Sequence, residues 1–211
     1  MAYTTIDDPS KYFNQVLYTG NLLAHPIAGL NHQPDLLWFK NRSTTNNFEV
    51  RDSSRGTDKG GVRLDDDTAE GTSTTRITSF DSDGFTLSTD PGANGNTNLM
   101  LAWSWKANGG TTSSNTDGST TSTVQAYPEA GFSIVKYTGS GGNGQSVLHG
   151  LGLTPEVIIT KSRNADQSWH VYHKSIGNTK IIKLDTTAAQ ATSSDYSAAA
   201  VNSSAFFVST S

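Results

Sequence analysis

Four tryptophans, at positions 38, 103, 105 and 169, are the residues of this chain best suited to recognition chemistry. An indole ring can lie flat on the apolar face of a sugar, because it offers a large rigid surface with a polar edge. Trp103 and Trp105 stand two residues apart, which puts both on one face of any strand that carries them. Tyr12, Tyr127 and Tyr172 supply further rings. Trp38 and Trp169 sit in core-facing positions of a repeat, where core packing is the expected role. Trp103, Trp105 and Tyr172 are therefore the candidate binding residues, for a glycan or for a neighbouring subunit.

Other chemistry is poorly represented. Asp65, Asp66 and Asp67, and separately Asp81 and Asp83, could offer oxygens to a calcium ion, but neither group has the spacing or the distal Glu of an EF-hand. Turn and capping chemistry is the simpler expectation. His170 and His173 are spaced so that they point to opposite faces of a strand, which prevents a shared metal. His25, His32 and His149 lie before strands and are expected to be hydrogen-bonding surface groups. Gly139, Gly141 and Gly144 form G-x-G-x-x-G, yet the sequence after them is not an amphipathic helix, so a loop between strands is expected rather than a phosphate cradle. There is no cysteine nucleophile and no G-x-S-x-G elbow, and the acids are not paired. No catalytic residue, metal ligand or cofactor is predicted, and the chain is read as a non-enzyme.

Composition narrows the class. The 211 residues are 34% hydrophobic and 16% charged, with abundant Ser, Thr, Asn and Gly. That is the profile of an all-β protein with a hydroxyl-rich surface. A formal charge of −4 and the absence of a Lys/Arg cluster argue against nucleic acid as a partner. With no cysteine, neither disulfides nor thiolate metal sites can brace the fold. No signal peptide and no apolar run of bilayer length is seen, so the expectation is a protein made soluble, without membrane insertion.

The elements that position these residues come in two copies. Residues 29–52 and 150–173 align without a gap at an offset of 121. Each runs from Gly-Leu through a proline and an acid into an apolar stretch: Pro34/Pro155, Asp35/Glu156, Leu37/Ile158, Trp38/Ile159, Lys40/Lys161, Phe48/Trp169 and Val50/Val171. Strand-like stretches, alternating at 12–19 and 99–106 and almost continuously apolar at 35–40, predict strands there and at 132–138, 48–51, 60–65 and 180–185, and 85–88, with Leu64 and Leu184 pointing inward. The implied architecture is all-β: two tandem antiparallel β-sandwiches of jelly-roll or concanavalin-like type. Residues 1–11 form an N-terminal arm, 12–107 the first sandwich, 108–123 a Gly/Ser/Thr linker and 124–211 the second sandwich. The second copy stops where its counterpart of strand 99–106 is due, so that strand is expected from the N-terminal arm or from another subunit.

Six pieces in order, at residues 8–21, 29–43, 78–88, 102–110, 130–139 and 149–189, carry a family resemblance. DPSKYFNQVLYTGN, AWSWKANGG and AGFSIVKYTG are among them. The chain resembles a tandem domain of unknown function found in tail-fibre and other structural proteins of marine bacteriophages and cyanophages. The resemblance implies a virion protein: a tail fibre or receptor-binding adhesin, working as a homotrimer and contacting other virion proteins and host-surface glycans. Two alternatives stand beside it. One is an architectural virion protein, a head decoration or tail adaptor. The other is a polysaccharide-degrading fibre, which would need a cleft holding two carboxylates.

Overall fold

The computed structural model describes residues 6–73, 75–196 and 199–209. Its regular structure is nearly all β, in the order β1 (Phe13–Thr19), β2 (His25–Ala28), β3 (Leu36–Asn41), β4 (Glu49–Asp52), β5 (Val62–Arg63), β6 (Ile77–Asp81), β7 (Gly84–Leu87), the single-turn helix α1 (Pro91–Asn94) and β8 (Leu99–Trp105). Then follow β9 (Ser113–Asn115), β10 (Ser122–Tyr127), β11 (Phe132–Tyr137), β12 (Gln145–Leu148), β13 (Val157–Thr160), β14 (His170–His173), β15 (Lys180–Lys183), β16 (Ala191–Thr192) and β17 (Ala205–Val208). All pairings are antiparallel, in sheets ordered β1-β8-β3-β4-β5, β2-β7-β6, β11-β10-β9, β12-β17 and β13-β14-β15-β16.

The gapless repeat produces the same hairpin twice. Leu36 faces Asp52 and Trp38 faces Val50; at the offset of 121, Val157 faces His173 and Ile159 faces Val171. Equal loop lengths fix equal registers, because a one-residue slip would turn every side chain to the wrong face. A second pairing recurs, Ile27 with Phe85 in β2-β7 and Val147 with Phe206 in β12-β17. Gly84 makes the first of these possible, since a Cβ there would overlap the Ile27 carbonyl.

Three apolar clusters hold these sheets. Leu30, Leu37, Phe39, Phe85 and Leu87 centre the first, and Val147, Tyr172, Ile181, Tyr196 and Phe206 the second. The third joins the halves: Trp169 sits among Val50, Val62 and Leu64, with Leu36, Trp38 and Phe48 against them. Its indole N–H donates to the Arg63 carbonyl.

Several expectations change. Between the strands at 85–88 and 99–106 no element is predicted, but Asp90 accepts the Gly92 amide at 2.7 Å, and with Pro91 in the first helical position it starts α1. Leu184 is 42% exposed rather than inward, whereas Leu64 is buried, because only Leu64 has Trp169 over it. The strand expected from the arm or from another subunit has a local source on one side. β10 lies against β11 as β8 lies against β1, pairing Tyr127 with Phe132 and Val124 with Val135 where β8 pairs Trp105 with Phe13 and Ala102 with Val16. The arm residues 1–5 and the terminal Thr210 and Ser211, where an open edge was expected, lie outside the described residues. No helix among the described residues is long and apolar enough to cross a membrane.

Candidate functional site

β8 alternates Leu99, Leu101, Trp103 and Trp105 against Met100, Ala102 and Ser104, and the second set is fully buried. The first set must therefore face away from the core. Across β1, β8 and β3 this outward face forms three rows: Phe13, Trp105, Leu36; then Gln15, Trp103, Trp38; then Leu17, Leu101, Lys40. Trp103 and Trp105 share the face that their spacing predicts. Trp38 joins them, contrary to its expected inward role, because Leu37 and Phe39 take the inward positions of β3.

The rings touch in sequence. Trp105 lies 4.9 Å from Phe13, 4.7 Å from Trp38 and 6.5 Å from Phe132 between ring centroids, so it is wedged where the two halves meet. Trp103 stacks on Phe48 at 6.2 Å, and Lys40 Nζ stands 4.5 Å over the same Phe48 ring while donating to the Asn46 carbonyl at 2.6 Å. A cation over an aromatic face is held by the ring quadrupole. Beside Trp103 stands the exposed Gln15, an amide that can donate and accept. The result is a half-exposed aromatic strip flanked by one amide and one ammonium. Such a strip can stack on the apolar faces of sugar rings while the amide and ammonium hydrogen-bond their hydroxyls.

Tyr172 does not belong to this face. It is 6% exposed, its ring lies 5.8 Å from Tyr196, and its strand partner Ile158 packs against the same second core. Parity explains the correction: Tyr172 and His170 of β14 point inward together. His170 Nδ1 meets Asp195 Oδ2 at 2.6 Å, and His173, on the opposite face, accepts the Ser175 amide at 3.1 Å. The hydrogen bond from His170 holds the Asp195 carboxyl below its usual range.

His32 and His149 are buried rather than superficial, each with both ring nitrogens used. His32 Nδ1 donates to the Ser10 carbonyl at 2.9 Å, so its Nε2 accepts from Ser104 Oγ at 2.8 Å. Burial holds its pKa below the ordinary histidine value, and the ring stays neutral at physiological pH. A Ser–His contact of this kind can activate a nucleophile, but Ser104 has no solvent access. The contact therefore ties the lead-in turn at Ser10 to the core.

The acidic groups act as caps. Asp83 accepts the Gly29 and Asn31 amides, Asp81 the Thr86 hydroxyl, and Asp66 the Thr68 amide and the Asn47 side chain. Asp65 and Asp185 line one shallow depression with Leu184, Thr186 and Thr187, each accepting one amide: Phe48 at 3.1 Å and Trp169 at 2.9 Å. In the glycine-rich loop Gly141 and Gly144 have positive φ, and strand β12 follows directly, without the helix a phosphate would need.

Two features were not read from the sequence. Asp35 is buried and accepts the amides of Ala107, Gly109 and Gly110 and the Ser53 hydroxyl, all within 2.7–2.9 Å. Ser53 in turn meets Gln125 of β10, so one carboxylate locks the exit of β8 to the second half. The other is a pair of ion-pair chains, Arg51–Glu49–Arg76–Asp90 and Asp52–Arg55–Glu70–Arg163. Burial, with the nearby Arg55, pushes Arg51 down to about 10, which leaves it charged. The sequence signal was the crowding of charge between residues 49 and 76 in a chain otherwise poor in it.

No curated protein and no solved structure gives a significant match to the chain. A family model does match, over residues 8–211, under the description "Domain of unknown function (DUF7483)". With nearly the whole length covered, the chain belongs to the DUF7483 family.

Proposed function

We propose that this chain is a bacteriophage virion structural protein, a tail fibre or receptor-binding adhesin that contacts host-surface glycans through the aromatic strip on β1, β8 and β3. In this reading it consists of two tandem β-sandwich units and works as a homo-oligomer, a trimer, assembled into the virion. It binds and does not catalyse. The observation that carries the proposal is the strip itself: Trp103 and Trp38 side by side on an outward sheet face, with Gln15 next to them. A contiguous apolar patch on a surface marks a contact site, where singly scattered apolar residues do not. Ser- and Thr-rich loops around a rigid β scaffold suit hydrogen bonding to glycans, and several copies would multiply weak contacts into avidity.

The test is binding of labelled protein to intact host cells, in competition with phage adsorption. Saturable binding that blocks adsorption is expected, and Trp103→Ala should weaken it by about tenfold or more, since a stacked ring contributes about 1.4 kcal/mol or more. Absence of binding by folded wild-type protein would sink the adhesin reading. It would favour the architectural one, which the outer edge of β13, unpaired among the described residues, supports because such an edge can accept a strand from a neighbouring virion protein.

A further inference from the structure

A strand at the edge of a sheet offers unpaired amides and carbonyls, and proteins blunt such edges with prolines, charges, bulges or short lengths. Most edges here are blunted. β2 carries Pro26, β11 carries Lys136, and β6 carries Asp81 and a bulge; β5, β9 and β16 run to three residues or fewer. The outer side of β12 is tied at Ser146 by Ser119 and Thr120, and the strand end after β17 by Asp195. Two edges are different. β1, FNQVLYT, and β13, VIIT, contain neither charge nor proline, and among the described residues β1 pairs with β8 alone and β13 with β14 alone, although the outer-edge Gln15 amide donates to Asn14 Oδ1 at 2.9 Å.

The exposed large apolar side chains gather on the same two elements and their surroundings. Leu17 (63%), Phe13 and Leu99 lie on and beside β1, and Val157 (45%) and Ile159 (40%) on β13, with Ile182 two strands away in the same sheet. The first copy of the repeat shows what β13 is missing. β3, its counterpart, has β8 along its outer edge, and its inward Leu37 is fully buried. On β13 the matching Ile158 is only half-buried, and β10, which takes the β8 place against β11, pairs on its other side with β9 instead of β13.

We propose that β13 of one copy accepts β1 of a second copy, edge to edge, so that the chain associates head to tail with itself. Both edges are uncharged, and both carry apolar residues on the outward face, where Phe13 and Leu17 would continue the row of Val157 and Ile159. An edge contact between two different surfaces is heterologous and closes into a ring or runs on as a filament. The inference rests on the oligomeric part of the proposed function and names the surface that makes the oligomer.

The experiment is light scattering on size-separated protein from low to high micromolar concentration, with wild type, Leu17→Lys, Ile159→Lys and an equal mixture of the two variants. Both substitutions fall on exposed positions, so each variant should keep the circular dichroism spectrum of the wild type. Wild type should exceed the monomer mass and each variant alone should be monomeric. The mixture should stop at two copies, because one intact β1 and one intact β13 remain to meet. A monomeric wild type, variants that keep the wild-type mass, or a mixture that stays monomeric would each overturn the proposal. Should a variant fail to fold, hydrogen exchange on wild type decides: the amides of β1 and β13 must gain protection together as concentration rises. Cell binding by a monomeric wild type would sink the edge pairing and leave the surface-contact reading standing. An oligomer of the expected pairing that binds no cells would do the reverse.

Discussion

Asp35 and Glu156 hold the same place in the two copies of the repeat, one residue after a proline and one before an apolar strand, and they live in different surroundings. Asp35 is buried under four donors from the exit of β8 and from Ser53. Glu156 stands in solvent with Lys174 at 2.6 Å. The difference is the strand on the outer edge: where β8 runs along β3, the chain that leaves it folds back and needs an acceptor, and along the outer edge of β13, among the described residues, no strand runs to make that demand. Identical sequence patterns thus specify identical hairpins, while the strand alongside decides which of their side chains become structural.

The comparison can be broken at several points. The largest effect is expected at the inward residue of each apolar strand. Leu37→Ala should cost about 3 kcal/mol or more, a fully buried leucine leaving a cavity, whereas Ile158→Ala on half-buried β13 should cost about 1–2 kcal/mol; chemical denaturation of both variants checks the gap. Equal costs would mean that β13 is as well covered as β3. Next comes the acid pair. Asp35→Ala orphans several amides and should cost about 3 kcal/mol, and Glu156→Ala, which removes only a surface ion pair, less than about 0.5 kcal/mol. Trp169→Ala should cost a similar 3 kcal/mol or so by emptying the cluster between the halves, and thermal scans should then separate into two transitions.

A smaller effect is tied to pH and sharpens the contrast, since it belongs to the second half. The folded-state pKa of Asp195 is lowered, first by the hydrogen bond from His170. Its contribution is therefore complete above the unfolded carboxyl value of about 3.9 and disappears as pH falls through the lower folded value. Acid titration followed by amide signals should show β14 and the 193–196 segment loosening before β3 and β4. Asp195→Asn should remove that order.

Much of this was legible because alternation is a local signal. β1, β8 and β11 declare themselves through apolar residues at period two and β3 through a nearly continuous apolar run, and the shared offset of 121 fixes the common register of β3-β4 and β13-β14 before any coordinate is known. β9 lies in the 108–123 stretch expected to be linker and β10 straddles its end, where no strand is predicted, because what makes STVQAY a strand is its pairing with β11 and not its own pattern. β2 was hidden by its proline, tolerable on an edge. At the candidate site the spacing of Trp103 and Trp105 sufficed to put them on one face. The inward turn of Tyr172 required knowing that Ile158 lies opposite, and the burial of His32 required Ser104, 72 residues away.

The position of β10 ahead of β11 also bears on how the chain reaches this state. β8 can join β1 only after the intervening segment from Thr19 to Leu99, a separation of 99 − 19 = 80 residues, has been closed. β10 and β11 meet across a turn from Tyr127 to Phe132, a separation of 132 − 127 = 5. Loop-closure entropy rises with the logarithm of length, and the sixteenfold ratio amounts to about 2.5 kcal/mol in favour of the short hairpin. The corresponding strand pairs should therefore form at different times: a local hairpin early in the second half, and in the first a sheet that waits until residue 105 has been made. During that interval the uncharged edge of β1 is exposed on both sides, which makes the first half the part of the molecule most exposed to misassembly during synthesis.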